Sequence, residues 1–316
     1  MKLRDFGKLN PVSALTLGGG GLGQIWGATS REECVATARE ALDLGINMLD
    51  MAPSYGNGEA ESVIGEAFNG KLPGNVRIST KCRVGDIAPE NIFRLLDQSI
   101  NSSLKRMNLD KVDIFFLHGW ITADNKPNYG RGTPRSSVEN SVIPAMERIV
   151  QSGRALSWGL TGIGDPSVLI DMLVTGIRPD FMQIITNLLD SPGNLQYPGC
   201  SAKPRKIMSA ASQVGTSIMG IRAVQAGALT SKLDRFKPLG DPELLDFEKA
   251  TPFRQVAKEI GLSPAYLAHQ YALSMEGPST IVLGVKNREE LYECIAAESA
   301  GSMDPILIHK IDQTLK

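Results

Sequence analysis

Short apolar runs recur along the chain, each followed by a longer stretch of helical periodicity. The runs are 14–18 (ALTLG), 46–50 (INMLD), 76–80, 112–117 (VDIFFL), 156–161 (LSWGLT), 181–185 (FMQII), 216–221 (TSIMGI) and 280–284 (TIVLG). They are apolar at successive positions, as parallel strands covered on both faces require. The intervening stretches carry helix punctuation. Ser30 with Glu33 forms a capping box, and Gly45 stands where a helix begun there would stop. Pro89 suits a first helical turn, with Ile92, Leu95, Leu96, Ile100 and Leu104 on one face running toward Met107. Ser263-Pro264 opens another helix, with Leu267, Tyr271 and Leu273 following. Eight strand–helix units in one uninterrupted series predict an α/β fold, a closed (β/α)8 TIM barrel, as one domain over residues 1–316.

The spacing of the strand centres locates the surplus. Most steps lie near the roughly 30 residues of a plain βα unit, but those after the fourth and seventh strands are 44 and 64 residues. The extra length falls in 119–136 and 222–262, both rich in Gly, Pro and Asn. Both follow strand ends and therefore belong to the C-terminal face, where barrel enzymes place their sites.

Composition narrows the chemistry. Lys and Arg number 33 against 34 Asp and Glu, which gives no support for a nucleic-acid partner. The three histidines (118, 269, 309) are far apart, and the four cysteines (34, 82, 200, 294) show no CxxC spacing. Neither a disulfide framework nor a thiolate zinc cluster is expected on that ground, and no metal is expected. The start of the chain is charged and no 18-residue apolar run occurs, so a cytoplasmic protein without a signal peptide or membrane partner is expected.

Polar residues at the C-terminal ends of barrel strands point into one shared mouth. Asp50 ends the second strand, Lys81 follows the third, His118 follows the fourth, and Tyr55 lies five residues past Asp50. Asp50 would keep a buried Lys81 charged, and the ammonium would favour the phenolate of Tyr55 and lower its pKa. His118 would orient a carbonyl on the same oxygen. Singly, each residue has a plainer role as a cap, a rim lysine or a structural histidine; at successive strand ends they compose a proton-transfer site.

The chain resembles the aldo-keto reductase superfamily over essentially its full length. The resemblance rests on Asp50-Met-Ala-x-x-Tyr55-Gly56 with Glu61 and Gly65, on Ser79-Thr80-Lys81, and on Ser103-Leu-Lys-Arg with Val112-Asp113-Ile and His118. It continues in Gly153-Arg154 with Trp158-Gly159, in Gln183 with Asn187, in Gly227-Ala-Leu-Thr and in Gly284-Val-Lys286. It implies an N-terminal β-hairpin capping the barrel, Tyr55 as general acid/base tuned by Asp50, Lys81 and His118, and a nicotinamide cofactor bound without a Rossmann fold. Three positions depart from the family pattern: Thr161-Gly162 replaces Ser-Asn, Ile221 replaces a stacking aromatic, and Cys294 replaces an Asn.

Hydride chemistry needs a cofactor, and its expected contacts lie on the later strands. Thr161, Gln183 and Asn187 would meet the carboxamide. Arg222 through Gly227 and the Lys286-Asn287-Arg288 helix start would meet the phosphates. Lys286 and Arg288 favour NADP(H) over NAD(H) through a ribose 2′-phosphate. Gly18–Gly21 lack the helix and ribose acid of a dinucleotide fingerprint. Trp26 and Trp120 are the expected aromatic walls of a pocket for a small carbonyl or sugar substrate, and Trp158 is expected in the core. A glycosidase would need a second facing carboxylate, and Asp113 and Asp180 sit at strand starts instead. A non-catalytic nicotinamide-binding regulatory subunit on the same fold is the competing reading. A homo-oligomer is possible, and no sequence feature decides it.

Overall fold

The structure, a computed structural model, describes residues 1–9 and 11–315. Strands β1 (Leu3–Arg4) and β2 (Val12–Ser13) pair antiparallel as a small hairpin. Eight parallel strands then close a barrel: β3 (Leu15–Gly18), β4 (Met48–Asp50), β5 (Arg77–Cys82), β6 (Val112–Leu117), β9 (Ala155–Thr161), β10 (Phe181–Ile185), β11 (Ser217–Ile221) and β12 (Pro278–Leu283). They follow one another around the barrel in chain order, and β12 pairs with β3 to close it. The eight apolar runs are these strands, shifted by one or two residues at their ends.

The period-2 alternation of strands divides the buried side chains into two layers. Met48, Ile114, Phe116, Phe181 and Met219 fill the lower barrel together with Phe6, Leu9 and Val12 of the hairpin segment. Phe6 stacks on Phe181 at 4.6 Å between ring centres, so the hairpin plugs the barrel floor. Thr16 and Thr280 hydrogen-bond each other inside the wall at 2.7 Å. The outward layer, with Leu17, Leu49, Ile78 and Phe115, packs under the surrounding helices.

Local chemistry sets those helices. Ser30 Oγ accepts from the Glu33 amide to start Arg31–Asp43, as its capping box requires. Ser263 Oγ does the same for Pro264–Ser274. Pro89–Met107 buries Ile92, Leu96, Ile100, Leu104 and Met107, and Asn108 ends it at φ +56°. No helix among the described residues is long and apolar enough to cross a membrane.

The two surplus segments are more ordered than their composition suggests. In 119–136, β7 (Trp120–Thr122) and β8 (Gly132–Pro134) form a two-stranded parallel sheet. In 222–262, only the first part is loop, since Pro242–Lys249 and Thr251–Glu259 are helices.

One buried carboxylate ties the helix that follows the Tyr55 loop to the barrel wall and to the next helix. Glu61, fully buried on Glu59–Phe68, accepts from Thr80 Oγ1 of β5 at 2.5 Å and from Arg106 Nε at 2.7 Å. Losing the carboxylate would leave the buried Thr80 hydroxyl without its acceptor and the partly buried Arg106 without its counter-ion. Glu61→Ala is expected to lower unfolding stability by about 3 kcal/mol in denaturant titrations; a loss under about 0.5 kcal/mol, the scale of an ordinary surface change, would contradict this role.

Candidate active site

The strand ends bring the four tetrad residues together. Asp50 and Lys81 are the upper inward residues of adjacent strands β4 and β5, paired Asp50↔Ser79 in register. Lys81 Nζ donates to Asp50 Oδ2 at 2.8 Å, to the Met51 carbonyl at 2.9 Å and to Tyr55 Oη at 3.2 Å. All three ammonium protons are thereby engaged, and the side chain has no solvent exposure. Asp50 Oδ1 accepts from Ser79 Oγ at 2.6 Å and from Gln183 Nε2 at 2.8 Å. This is a fully satisfied buried ion pair, the condition under which such a pair is tolerated inside a protein.

Tyr55 reaches the pair from a tight turn. Its amide donates to the Ala52 carbonyl, and the Glu59 amide donates to Gly56, starting the next helix. Gly56 has φ +64°, and a Cβ there would lie 2.4 Å from the Gly23 carbonyl, so the turn needs glycine. The half-buried phenol edges toward His118, with ring centres 6.0 Å apart and planes at 80°. His118 Nδ1 lies 3.5 Å from Ser54 Oγ, and its amide donates to the Cys82 carbonyl.

The electrostatics differ from the sequence expectation at one point. Burial raises the Tyr55 phenol above its ordinary 10.0; Lys81 opposes that rise and Asp50 adds to it. The net direction is upward, because desolvation of the phenolate outweighs the ammonium. Burial alone would depress Lys81, but Asp50 and Tyr55 reverse this and hold it above its usual value. His118 is held well below its ordinary 6.5, first by burial and then by the charges of Lys81 and Arg83. At neutral pH the site therefore holds a protonated phenol, a neutral imidazole and a charged ammonium.

These residues open into a cavity of about 620 Å³. It runs from Tyr55, His118 and Ser54 past Thr161, Gln183 and Ile221 to Lys286, Glu290 and Cys294 on the far side. Trp26 forms part of its wall under the Arg235 guanidinium, 4.9 Å away. Gly20 lines it because a Cβ would strike the Trp26 indole at 2.1 Å. Gly20 thus admits the indole, while Gly18 and Gly21 allow close approach of the Leu283 and Val285 backbone.

Several residues expected around the cavity stand elsewhere. Trp120 is buried beside Tyr197 and Tyr129, and its indole N–H donates to the Leu195 carbonyl at 2.7 Å. Leu195 and Ile163 form the cavity surface in its place. Asn187 is fully buried outside the cavity, donating to the Ser191 and Arg222 carbonyls. Asn287 caps Arg288–Ser299 by accepting from the Glu290 amide, and Arg288 pairs with Glu33 at 2.9 Å outside the cavity. Trp158, by contrast, is expected in the core and is half-buried on the outer face of β9, packed against the helix-side core.

Thr161, Gln183, Arg222, Gly227 and Lys286 do line the cavity. Thr161 Oγ1 donates to the Leu117 carbonyl at 2.9 Å. The Gln183 amide nitrogen donates to Asp50 and to Met219 Sδ, while its carbonyl oxygen accepts no hydrogen bond among the described residues. Arg222, in a left-handed conformation at φ +62°, is neutralised by buried Glu243 at 2.6 Å. Glu243 also holds Arg235 at 3.0 Å and Lys237, which pins the 222–241 loop over the opening. Lys286 is held by Asp234 of that loop at 3.2 Å and by Glu290.

Sequence reasoning assigned no site role to Ser79, Ser54, Arg83, Asp234, Glu243 and Glu290. Ser79 was readable as the inward residue two before Lys81, and Glu290 as the helical neighbour four after Lys286. Asp234 and Glu243 approach only through the folded loop.

A nicotinamide dinucleotide can be tested against this surface. The cavity has the size of a ligand site, backbone at Gly18–Gly20 and Gly284 forms open wall, and Lys286 supplies a cation at the far end. These features fit such a group.

The chain is similar to known proteins along its length. A profile of the Aldo/keto reductase family matches residues 14–316. L-galactose dehydrogenase of Arabidopsis thaliana is 26% identical, over 100% of this chain and 95% of that protein. A probable voltage-gated potassium channel subunit beta of the same plant is 24% identical, over 100% and 97%. Among solved structures, a glycerol dehydrogenase from Gluconobacter oxydans superposes with a TM-score of 0.70 at 20% identity, covering 99% of this chain and 94% of that one. With the barrel closed, the tetrad assembled and the family profile matched almost end to end, the chain belongs to the aldo/keto reductase family.

Proposed function

We propose that this protein catalyses hydride exchange between NADP(H) and a small carbonyl or alcohol, with Tyr55 as the general acid and base. The observation that carries the reading is the hydrogen bond from a fully engaged, buried Lys81 to Tyr55 Oη at the cavity wall. A bound nicotinamide would supply or accept the hydride, which no side chain can do. Thr161, the free Gln183 carbonyl oxygen and Ile221 are the residues proposed to hold its ring, and Lys286 its ribose 2′-phosphate.

In the reducing direction Tyr55 gives its proton to the carbonyl oxygen as negative charge develops there. Lys81 then stabilises the phenolate at 3.2 Å. Neutral His118 orients the carbonyl without competing for the proton. In the oxidising direction the same phenolate removes the alcohol proton. An intact tetrad favours this reading over a purely regulatory role, which the likeness to channel subunits also raises.

The acids around Lys286 moderate the cofactor preference. A 2′-phosphate must displace Asp234 and Glu290 from the ammonium, so discrimination against NAD(H) is small.

Tyr55→Phe is expected to lower kcat for reduction of an aldehyde panel about 1,000-fold, the usual contribution of a positioned acid, while nicotinamide binding persists. Unchanged turnover would overturn the assignment, and tight binding with no turnover by the unaltered protein would favour the regulatory role. Glu290→Gln removes one competing charge and is expected to tighten NADPH binding about threefold, with NADH little changed, in fluorescence titrations. Equal effects on both cofactors would remove Lys286 from the 2′-phosphate site.

A further inference from the structure

The cations on the cavity wall are not equivalent. Arg222 is paired with Glu243, Arg235 with Asp234 and Glu243, and Lys286 with Asp234 and Glu290. Lys232 has no ion pair among the described residues, and it stands two residues before Asp234 in the same loop. Arg83 is different. It follows β5 directly, two residues past Lys81, and lines the cavity beside Ser54, Tyr55 and His118. Its guanidinium makes no hydrogen bond or ion pair among the described residues.

The acids of the cavity are equally divided. Asp234, Glu290 and Glu293 lie at the far side, and Asp50 is consumed by Lys81 beneath the surface. The half next to the reacting phenol therefore carries a positive charge with no counter-ion of its own. A second arginine stands nearby. The stem of Arg83 and the carbonyl of Arg131 flank Gly119, at 3.6 and 3.2 Å from the position a Cβ would take there. The Arg131 side chain lies 6.0 Å from the Trp120 ring and has no ion pair among the described residues. The nearest acid in sequence, Asp86, accepts from Asn128 instead.

An exposed guanidinium is comfortable in water. When a substrate fills the cavity and displaces that water, the charge loses hydration unless the substrate supplies an anion. The planar fork of arginine matches a carboxylate with two parallel hydrogen bonds. We infer that the substrate is a carbonyl compound, or its alcohol, carrying a carboxylate that Arg83 binds beside Tyr55 and His118, with Arg131 at the rim adding long-range attraction. This deepens the hydride-transfer reading and rests on it.

The test uses the whole protein with nicotinamide cofactor and two aldehydes of the same shape, 4-carboxybenzaldehyde and methyl 4-formylbenzoate. The acid is expected to have a kcat/KM about tenfold higher than the ester, carried by KM. That preference shrinks as salt rises from 0.05 to about 0.5 M, as screening requires. Arg83→Gln is expected to remove most of the preference, with Arg83→Lys keeping part of it. Benzoate binding, read by tryptophan fluorescence, weakens in the Gln variant in parallel. Equal use of acid and ester by the unaltered protein, or an equal fall for both in Arg83→Gln, overturns the inference and leaves the hydride-transfer reading standing. Turnover of neither aldehyde, nor of any other carbonyl, overturns that underlying reading as well.

Discussion

The site depends on one buried ion pair. Asp50 and Lys81 meet at 2.8 Å with almost no solvent exposure on either side chain. Inside a barrel, an isolated ammonium would shed its proton rather than remain charged. Here the fold fills the needs of both partners. Ser79 and Gln183 satisfy the carboxylate, and Met51 and Tyr55 satisfy the ammonium. Three strands, β4, β5 and β10, contribute to this arrangement, so closing the barrel and building the site are one event. Without closure, Gln183 of β10 could not reach Asp50 of β4.

The rest of the cavity divides by charge. Around the tetrad, the phenol and imidazole are neutral and Arg83 stands uncompensated. At the far side, Asp234, Glu243 and Glu290 balance the cations of the 222–241 loop and of the strand β12 exit. The loop is thus held over the cavity by ion pairs, mostly to Glu243 of the following helix and to Lys286. A ligand phosphate must compete with carboxylates, and opening the loop means breaking the Asp234–Lys286 contact.

Much of this was legible in the chain. Eight apolar runs became eight strands because parallel strands covered on both faces leave that pattern, and strand ends located Asp50, Lys81 and His118. What stayed hidden depends on three-dimensional approach. Trp120 sits two residues past His118 and reads as a pocket wall, yet its indole turns toward the Leu195 carbonyl because 120–122 pairs with 132–134. Arg288 reads as a phosphate ligand until Glu33, 255 positions away, is found against it. The Tyr55 phenol reads as acidified by its lysine, and burial reverses the direction. Neither the partner of a surface cation nor the depth of a phenol is written in local sequence.

The direction of the Tyr55 shift follows from the geometry and can be observed directly. With tyrosine labelled at the ring carbon bearing the hydroxyl, an NMR titration reports the phenol of the free protein. Tyr55 is expected to remain protonated through pH 10.0, its ordinary midpoint, and to ionise only above it. In Lys81→Met, loss of the opposing charge moves ionisation higher still, so the protonated form persists to more alkaline pH. A phenol ionising below pH 10.0 in the free protein, or one unmoved by loss of Lys81, would contradict the claim that burial and the Asp50–Lys81 pair together set its proton.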